Sequence, residues 1–415
     1  MPTQWRDVWI AAGTNLVTGL GTFLVLTTLI LAMQEEGHGG LAVSGVIMAE
    51  ALPIVLLASL TGRLADRVDS RILLVVAGGI QVAACWALSE ATGFGPRSAL
   101  LVLVCCGTAV VMPTRQALMM TMARREDLPR ATGISSTANQ IGAIAGPAAA
   151  GFAQGSLGTA VTLKFAAIAF GATILAGLLF RTRRGGMAAT HGDAAEPGPV
   201  RMDSLLRTLT IGFAVVIGAV GAVNVIEVFF IKETLGASSS AYGLITSMWT
   251  VGMIAGTWIA ARLLRRVDDD GRIAVGSLMS LATSCVIVVI MATVTVLWPM
   301  IGLSLIGGVF NGAINVQIFT IFGRRVPAHA RGRISARLQA AVQGAAILGY
   351  AAGGMALELW TPRTVLAAAG VAGLLAVAAV LPWLLAAAQA ARATGAETAT
   401  MPEGASAAAP ATVDV

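Results

Sequence analysis

The chain has 415 residues, of which 56% are hydrophobic and only 12% are charged. Soluble globular proteins carry about 25% charged residues, so this composition excludes an ordinary soluble protein and predicts an integral membrane protein. The net charge of +6 is compatible with nucleic-acid binding, but the basic residues lie in short stretches between apolar segments, where they orient a chain in a bilayer. We therefore expect no nucleic-acid partner.

Twelve apolar segments are long enough to cross a bilayer as a helix, which takes about 20 residues. They cover 8–33, 41–61, 71–89, 98–122, 133–154, 159–180, 205–231, 241–261, 273–293, 297–322, 332–357 and 364–388. A polar stretch without apolar periodicity separates the sixth segment from the seventh. The prediction is an all-α integral membrane fold of twelve transmembrane helices, with a six-helix bundle over 1–180, a cytoplasmic linker over 181–204, a second six-helix bundle over 205–388 and a disordered cytoplasmic tail over 389–415.

The basic residues predict the orientation of this chain. If the amino terminus is inside, 23 of the 27 Lys and Arg residues fall on the cytoplasmic side. Such an asymmetry is what the positive-inside rule requires. We expect a multi-pass protein of the inner (plasma) membrane with both termini in the cytoplasm.

A charged connection, Gly62 to Arg71, lies between spans two and three. Gly62 allows two helix ends to approach closely, and Asp66 can cap a helix or pair with an arginine. Arg67 and Arg71 hold the connection on the cytoplasmic side. A related stretch, Arg262 to Arg272, follows about 200 residues later, which predicts two six-helix repeats with a substrate site between them near the middle of the membrane.

The same connection resembles the loop between helices 2 and 3 of the major facilitator superfamily, whose pattern is Gly-x-Leu-Ala-Asp-Arg-x-Gly-Arg-Arg. The matching residues are Gly62, Leu64, Ala65, Asp66, Arg67 and Arg71, whereas Asp69 and Ser70 replace the expected Gly and Arg. Three further stretches, Pro113 to Leu118, Leu128-Pro129 and Val326-Pro327, resemble the branch of enterobactin exporters and macrolide efflux pumps. The resemblance implies a 12-helix transporter of the drug:proton antiporter type.

Span five carries the motif Gly142-x-x-x-Gly146-Pro147-x-x-x-Gly151. A proline bends a membrane helix, and the glycines allow a neighbouring backbone to come close. The motif resembles the Gly-Pro motif of antiporter members of the superfamily, although Ala150 stands where a second glycine is common. It therefore indicates export, with a packing kink as the alternative.

Two acidic residues lie within spans: Glu50 near the middle of span two, and Glu227 about one turn from the outer end of span seven. A charge at the bilayer centre costs roughly 2.5 to 3.5 kcal/mol, so such an acid faces a cavity, a partner or a proton path. The three histidines lie in loops. Both acids are therefore proton-coupling candidates, Glu50 first, with a protonated or paired structural residue as the alternative.

Other polar residues in the spans have two interpretations. Arg115, inside the cytoplasmic end of span four, is either a gating partner for Asp66 or an arginine that extends to lipid headgroups. Amides lie on spans one, seven and ten, which line the central cavity in the family, so they are candidates for binding polar cargo; the alternative is hydrogen bonding between helices. These amides are Asn15, Asn224, Asn311, Asn315 and Gln317.

The sequence predicts no enzyme, cofactor or metal site. The four cysteines lie in apolar segments without metal-ligand spacing, and no phosphate-binding loop is present to use ATP. We expect a monomeric secondary transporter whose partners are a small-molecule substrate, protons and the lipid bilayer, and which exports an amphipathic drug, macrolide or siderophore-like compound. The alternatives are an importer on the same fold and a non-transporting receptor or scaffold.

Overall fold

A computed structural model describes residues 3–124, 126–182, 203–267, 269–326 and 331–400. All the regular elements of this described part are helices. They are α1 (Trp5–Glu35), α2 (Gly40–Arg67), α3 (Ser70–Glu90), α4 (Phe94–Met122), α5 (Leu128–Leu179), α6 (Ser204–Val220), α7 (Ala222–Phe229), a π-helical turn (Phe230–Thr234), α8 (Ser239–Leu264), α9 (Asp270–Thr293), α10 (Leu297–Arg325), α11 (Arg331–Leu357) and α12 (Pro362–Thr400).

The helices form twelve spans, which confirms the predicted fold class. The 52-residue α5 contains spans five and six, because Gly158 has φ +81° and ψ 172° and divides it into two segments. A positive φ of this kind favours glycine, which has no Cβ. Span seven consists of α6, α7 and the π turn in succession. Each remaining helix corresponds to one span, with ends a few residues outside the predicted ones.

The connection between spans two and three is shorter than predicted. Gly62 and Asp66 belong to the last turns of α2, and only Val68 and Asp69 lie between α2 and α3. Asp69, rather than Asp66, caps the amino end of α3, because its Oδ1 accepts a hydrogen bond from the backbone N–H of Arg71 at 2.8 Å.

The predicted disordered tail is wrong for 389–400, because α12 continues to Thr400. Residues 183–202, which make up most of the predicted linker, and residues 401–415 lie outside the described part of the chain. The alanine-rich sequence that follows span twelve accounts for the longer helix, since alanine has the highest helix propensity.

The helix bundle has two ends. The first-loop end is the end at which residues 36–39 join α1 to α2, and the amino-terminal end is the opposite one. At the first-loop end, one apolar cluster combines residues of both halves, among them Leu29, Phe170 and Phe230. At the amino-terminal end, each half has its own cluster, one around Leu118 and Phe180, the other around Leu205 and Ile321.

In the second half, α8 and α10 cross closely at glycine residues. Gly252 and Gly256 of α8 face backbone atoms of α10, and Gly308 and Gly312 of α10 face backbone atoms of α8. A Cβ at any of these four positions would meet a carbonyl oxygen of the neighbouring helix. The two helices therefore pack by backbone contact, as small residues permit within a membrane.

Candidate functional site between the two halves

A polar cluster joins the two halves at the first-loop end. The Glu35 carboxylate pairs with Lys232 Nζ at 2.9 Å and accepts a hydrogen bond from Ser239 Oγ at 2.6 Å. Lys232 Nζ also donates to Ser239 Oγ at 2.9 Å, and Gln154 Nε2 donates to the other Glu35 oxygen at 3.1 Å. Glu35 and Gln154 belong to the first half and Lys232 and Ser239 to the second, so this cluster, called the clasp below, holds the halves together.

Further hydrogen bonds between the halves lie in the same part of the molecule. Gln34 Nε2 donates to Glu233 Oε1 at 3.2 Å, and the Leu41 N–H donates to Glu358 Oε1 at 3.4 Å. Nearer the middle of the bundle, Ser247 Oγ donates to the carbonyl of Ile144 at 2.7 Å. Together with the shared apolar cluster, these contacts close the first-loop end.

The span-five motif lies at two helix crossings. Gly142 and Gly146 face α1, where a Cβ would meet the Leu16 carbonyl or the Phe23 side chain. Gly151 faces the backbone of α8, and Gly243 of α8 in turn faces the carbonyl of Pro147. The motif therefore packs one helix against its own half and against the other half.

The two halves separate towards the amino-terminal end. They share an apolar cluster at the first-loop end and have separate clusters at the amino-terminal end, from which we infer that the space between the halves is wider at the amino-terminal end; this space is called the cleft below. Polar side chains of the first segment of α5, Thr132, Ser136 and Asn139, are exposed although they lie within a membrane span. Exposed polar groups at this depth are expected where a span lines a water-filled cavity.

This polar face of α5 was missed in the sequence. The signal is a run of hydroxyl and amide residues at helical spacing, Thr132, Ser135, Ser136, Asn139 and Gln140. The Gly-Pro motif continues along the same side of the helix, because Ser135 and Asn139 lie against α1 as Gly142 and Gly146 do.

Arg115 of α4 is linked to this polar face of α5 through Asn15 of α1. Its Nη1 donates to Thr18 Oγ1 at 3.0 Å and to Asn15 Oδ1, and the Asn15 amide nitrogen donates to Ser135 Oγ. The guanidinium is thus turned towards α1 and α5 inside the bundle and not towards lipid headgroups. The side chain of Asp66 lies outside the described part, so its pairing with Arg115 stays a prediction.

Glu50 and Glu227 are both partly exposed within spans. The Glu50 carboxyl is close enough to the Cys105 thiol and the Tyr350 hydroxyl to interact with them electrostatically, and Glu227 has the same relation to Tyr242. Neither carboxyl has a hydrogen bond or ion pair with another side chain of the described residues. They are carboxyl groups without a partner, one in each half.

The predicted cavity amides have different environments. Asn224 and Asn315 are exposed, and Asn315 donates to the carbonyl of Asn311 at 3.1 Å. Gln317 instead lies against Gly276 of α9, and its Oε1 is buried without a hydrogen-bond partner among the described residues. This position favours the alternative interpretation, a contact between helices of the second half.

Twelve spans in two halves around a cleft that is shut at one end define a membrane transporter of the major facilitator type. The sequence matches the transmembrane secretion effector family over residues 2–409, and the chain belongs to this family. Among curated proteins, no sequence matches it significantly.

Solved structures share the fold at low sequence identity. The nucleoside transporter NupG has a TM-score of 0.76 at 13% identity, with 91% of this chain and 99% of that chain covered. A bacterial homologue of the iron transporter ferroportin, in an inward-facing state, has a TM-score of 0.72 at 16% identity, with coverage of 92% and 99%. A bacterial homologue of the lysosomal transporter Spinster, inward-facing and unoccupied, has a TM-score of 0.65 at 14% identity, with coverage of 94% and 96%. At these identities the likeness shows that the chain shares the fold of these structures.

Proposed function

We propose that this protein exports a small amphipathic organic compound, such as a drug, macrolide or siderophore-like molecule, in exchange for protons. The observation that carries the proposal is a cleft between the halves, shut at the first-loop end, with an unpartnered carboxyl group in each half. A cleft closed at one end is one of the two states that alternating access requires. The description of the family as secretion effectors supports export as the direction.

The orientation follows from the distribution of basic residues. Arginines are concentrated in the connections at the amino-terminal end, and by the positive-inside rule this supports a cytoplasmic location of this end. In this orientation the cleft is open to the cytoplasm, where an exporter loads its cargo. We place the protein in the inner (plasma) membrane as a monomer, with both termini in the cytoplasm.

Glu50 is the first choice for the coupling residue. It lies ten residues from the start of α2, about 15 Å along the helix axis at 1.5 Å per residue, which is near the middle of a hydrocarbon core of about 30 Å. Glu227 lies seven residues before the end of the π turn, about 10 Å by the same measure. Glu50 is therefore the deeper of the two, and its hydration depends more strongly on which end of the cleft is open.

The test is proton-driven transport in proteoliposomes. Glu50→Gln imitates the protonated carboxyl, so we expect it to abolish uphill efflux while cargo binding and downhill exchange remain. Glu227→Gln is expected to have a smaller effect, because a group nearer the surface is hydrated in both conformations. Cargo is found first with an efflux panel in a host that lacks its own pumps.

Each result has a defined consequence. Full uphill activity of Glu50→Gln would remove Glu50 from the mechanism, and loss in Glu227→Gln alone would move the proton site to span seven. Cells that express an exporter become depleted of cargo, whereas an importer on the same fold would make them accumulate it. Normal activity after loss of both carboxyl groups would contradict proton coupling.

A further inference from the structure

We infer that Arg115 binds a carboxylate carried by the transported compound, so that the cargo is an organic anion with an apolar body. The inference rests on the proposed function, because it places the cargo in the cleft between the halves. It adds the chemical class of the cargo and the residue that recognises it. Asn15, Thr18 and Ser135 hold the arginine in place.

The guanidinium of Arg115 has donors that its neighbours do not use. Arginine has five N–H donors in a planar fork. In this structure Arg115 uses only Nη1, for Asn15 and Thr18. Its Nε and Nη2 have no hydrogen-bond partner among the described residues, and neither atom is among the buried, unpaired ones. The edge formed by Nε and Nη2 is the one that binds a carboxylate through two parallel hydrogen bonds.

The positive charge of Arg115 lies within the membrane-spanning part of α4. Arg115 lies seven residues before the end of α4, about 10 Å inside the bundle, and both of its partners are neutral. Burying a cation at membrane depth costs several kcal/mol unless it is compensated. No carboxylate among the side chains that the structure describes forms an ion pair with Arg115, and a carboxylate of the cargo would supply the compensating charge in this conformation.

The unpartnered acids of the cleft do not fill this site. Glu50 lies beside Cys105, which is ten residues from Arg115 along the same helix, about 15 Å. Glu227 belongs to the other half, near the first-loop end. An ion pair requires about 4 Å, so neither carboxyl group reaches the guanidinium in this conformation.

The repeat of the second half differs from the first half at this position. When Pro129 is aligned with Pro327, the position of Arg115 corresponds to Ala313 of α10. The second half therefore has no equivalent cation, and the molecule has one such site instead of a symmetric pair. A single site at one side of the cleft orients an elongated cargo.

The surroundings indicate which way the cargo lies. From Arg115 towards the closed first-loop end, the shared apolar cluster is covered by partly buried Leu26, Phe310 and Tyr350. A carboxylate at Arg115 would leave the apolar part of the same molecule in contact with this region. The site thus fits an amphipathic monocarboxylate better than a cationic drug, which Arg115 would repel.

The experiment measures binding to the purified full-length protein in detergent. The probes are aryl-alkyl carboxylates of increasing chain length and the methyl ester of each, which differ only in the charge. Thermal unfolding midpoints are recorded against probe concentration, since a ligand of the native state raises them by an amount that grows with the logarithm of its concentration relative to Kd. We expect stabilisation by carboxylates and not by esters.

Two substitutions locate the site. Arg115→Gln is expected to weaken carboxylate binding by about 10- to 100-fold, the range of charged hydrogen bonds. Arg115→Lys keeps the positive charge but lacks the planar pair of N–H donors, and we expect it to retain part of the affinity. Arg130→Gln is the control, because Arg130 lies over the Trp5 ring, 4.9 Å from its centroid, and takes no part in the Arg115 cluster.

Several outcomes would overturn the inference. They are equal stabilisation by esters, no stabilisation by any probe, unchanged affinity in Arg115→Gln, or an equal loss in Arg130→Gln. This binding measurement uses no proton gradient. Its result can therefore be interpreted even if proton-driven efflux is not observed. Carboxylate binding at Arg115 without proton-driven transport would contradict the proposed function and leave this inference standing.

Discussion

At the residue scale, two aspartates hold backbone segments in place by accepting hydrogen bonds from N–H groups. Asp69 accepts from Arg71 at the start of α3. Asp7 is buried, and its Oδ2 accepts from the N–H groups of Arg181 at 3.0 Å and Thr182 at 2.9 Å. Asp7 thereby ties the start of α1 to the residues that follow span six. Carboxylates in such positions satisfy donors that would otherwise lack a partner.

Asp69→Ala removes the cap of α3. We expect the free energy of unfolding to fall by about 1 kcal/mol, as for other lost amino-terminal caps, while transport at matched expression is retained. Unfolding of the purified protein in denaturant and transport in proteoliposomes measure the two effects. An unchanged stability would show that the Asp69 hydrogen bond contributes nothing.

Asp66→Asn is expected to have the reverse effect, with transport impaired and the stability of the fold retained. We propose that the Asp66 charge stabilises the conformation closed at the amino-terminal end, by about 1 to 3 kcal/mol, so its loss should impair transport without affecting folding. Arg265 occupies the related position of the repeat, and Arg265→Ala is the control, with a mild effect. Wild-type transport by Asp66→Asn, or equal losses in both variants, would remove this role.

At the scale of elements, α5 links the polar side chains of the cleft to the contacts that close the first-loop end. Its first segment presents polar side chains to the cleft, Gly142 and Gly146 pack on α1, and Gly151 crosses α8 of the other half. We expect this crossing to separate when the first-loop end opens. A side chain at this crossing should therefore act on the conformational equilibrium and not on folding.

Gly151→Ala tests this role of α5. The added Cβ would meet the Ser239 carbonyl and the Gly243 backbone, neither of which can move independently, so we expect the state open at the first-loop end to gain population. In a background without native cysteines, spin labels at exposed Thr92 and Thr295 report the opening as a longer distance by double electron–electron resonance.

Gly155→Ala is the matched control on the same helix. Its Cβ would lie 3.6 Å from Ser240 Oγ, an ordinary van der Waals contact. Both substitutions raise the helix propensity by the same amount. This effect therefore cancels when the two variants are compared. Equal distance distributions in the two variants would contradict the proposed effect of the crossing.

At the scale of the whole molecule, the clasp and the shared apolar cluster hold the halves together at one end only. Lys232→Met removes the ion pair with Glu35, which is 2.9 Å long and half-buried. A pair of this kind contributes about 1 kcal/mol, so we expect the ratio of closed to open molecules at the first-loop end to fall roughly fivefold. The same pair of spin labels measures this ratio.

Lys164→Met supplies the comparison. Lys164 pairs with Glu90 at 2.8 Å at the same end of the molecule, but within the first half. Its loss should leave the ratio of conformations unchanged, because the pair is present in both of them. If both lysine variants open the first-loop end to the same extent, general destabilisation explains the result and the clasp has no specific role.

The sequence by itself determined the number of spans, their approximate ends and the six-plus-six repeat. These depend on hydropathy within about 20 residues and on the thickness of a bilayer, both of which are local properties. The same reasoning identified Glu50, Glu227 and Arg115 as polar residues at membrane depth. It also treated Gly62 to Arg71 as a connection, although most of it continues α2, because charged residues near a helix end do not reveal where the helix stops.

The tertiary structure alone decided which residues meet. Arg115 contacts Asn15, 100 positions away, and Glu35 contacts Lys232, 197 positions away. Gln317 lies against α9 although it shares a helix with the exposed Asn315. Hydropathy does not encode the rotation of one membrane helix against another, since lipid and helix interfaces are both apolar and packing of small residues sets the approach. For the same reason, closure at the first-loop end was visible only in the packed structure.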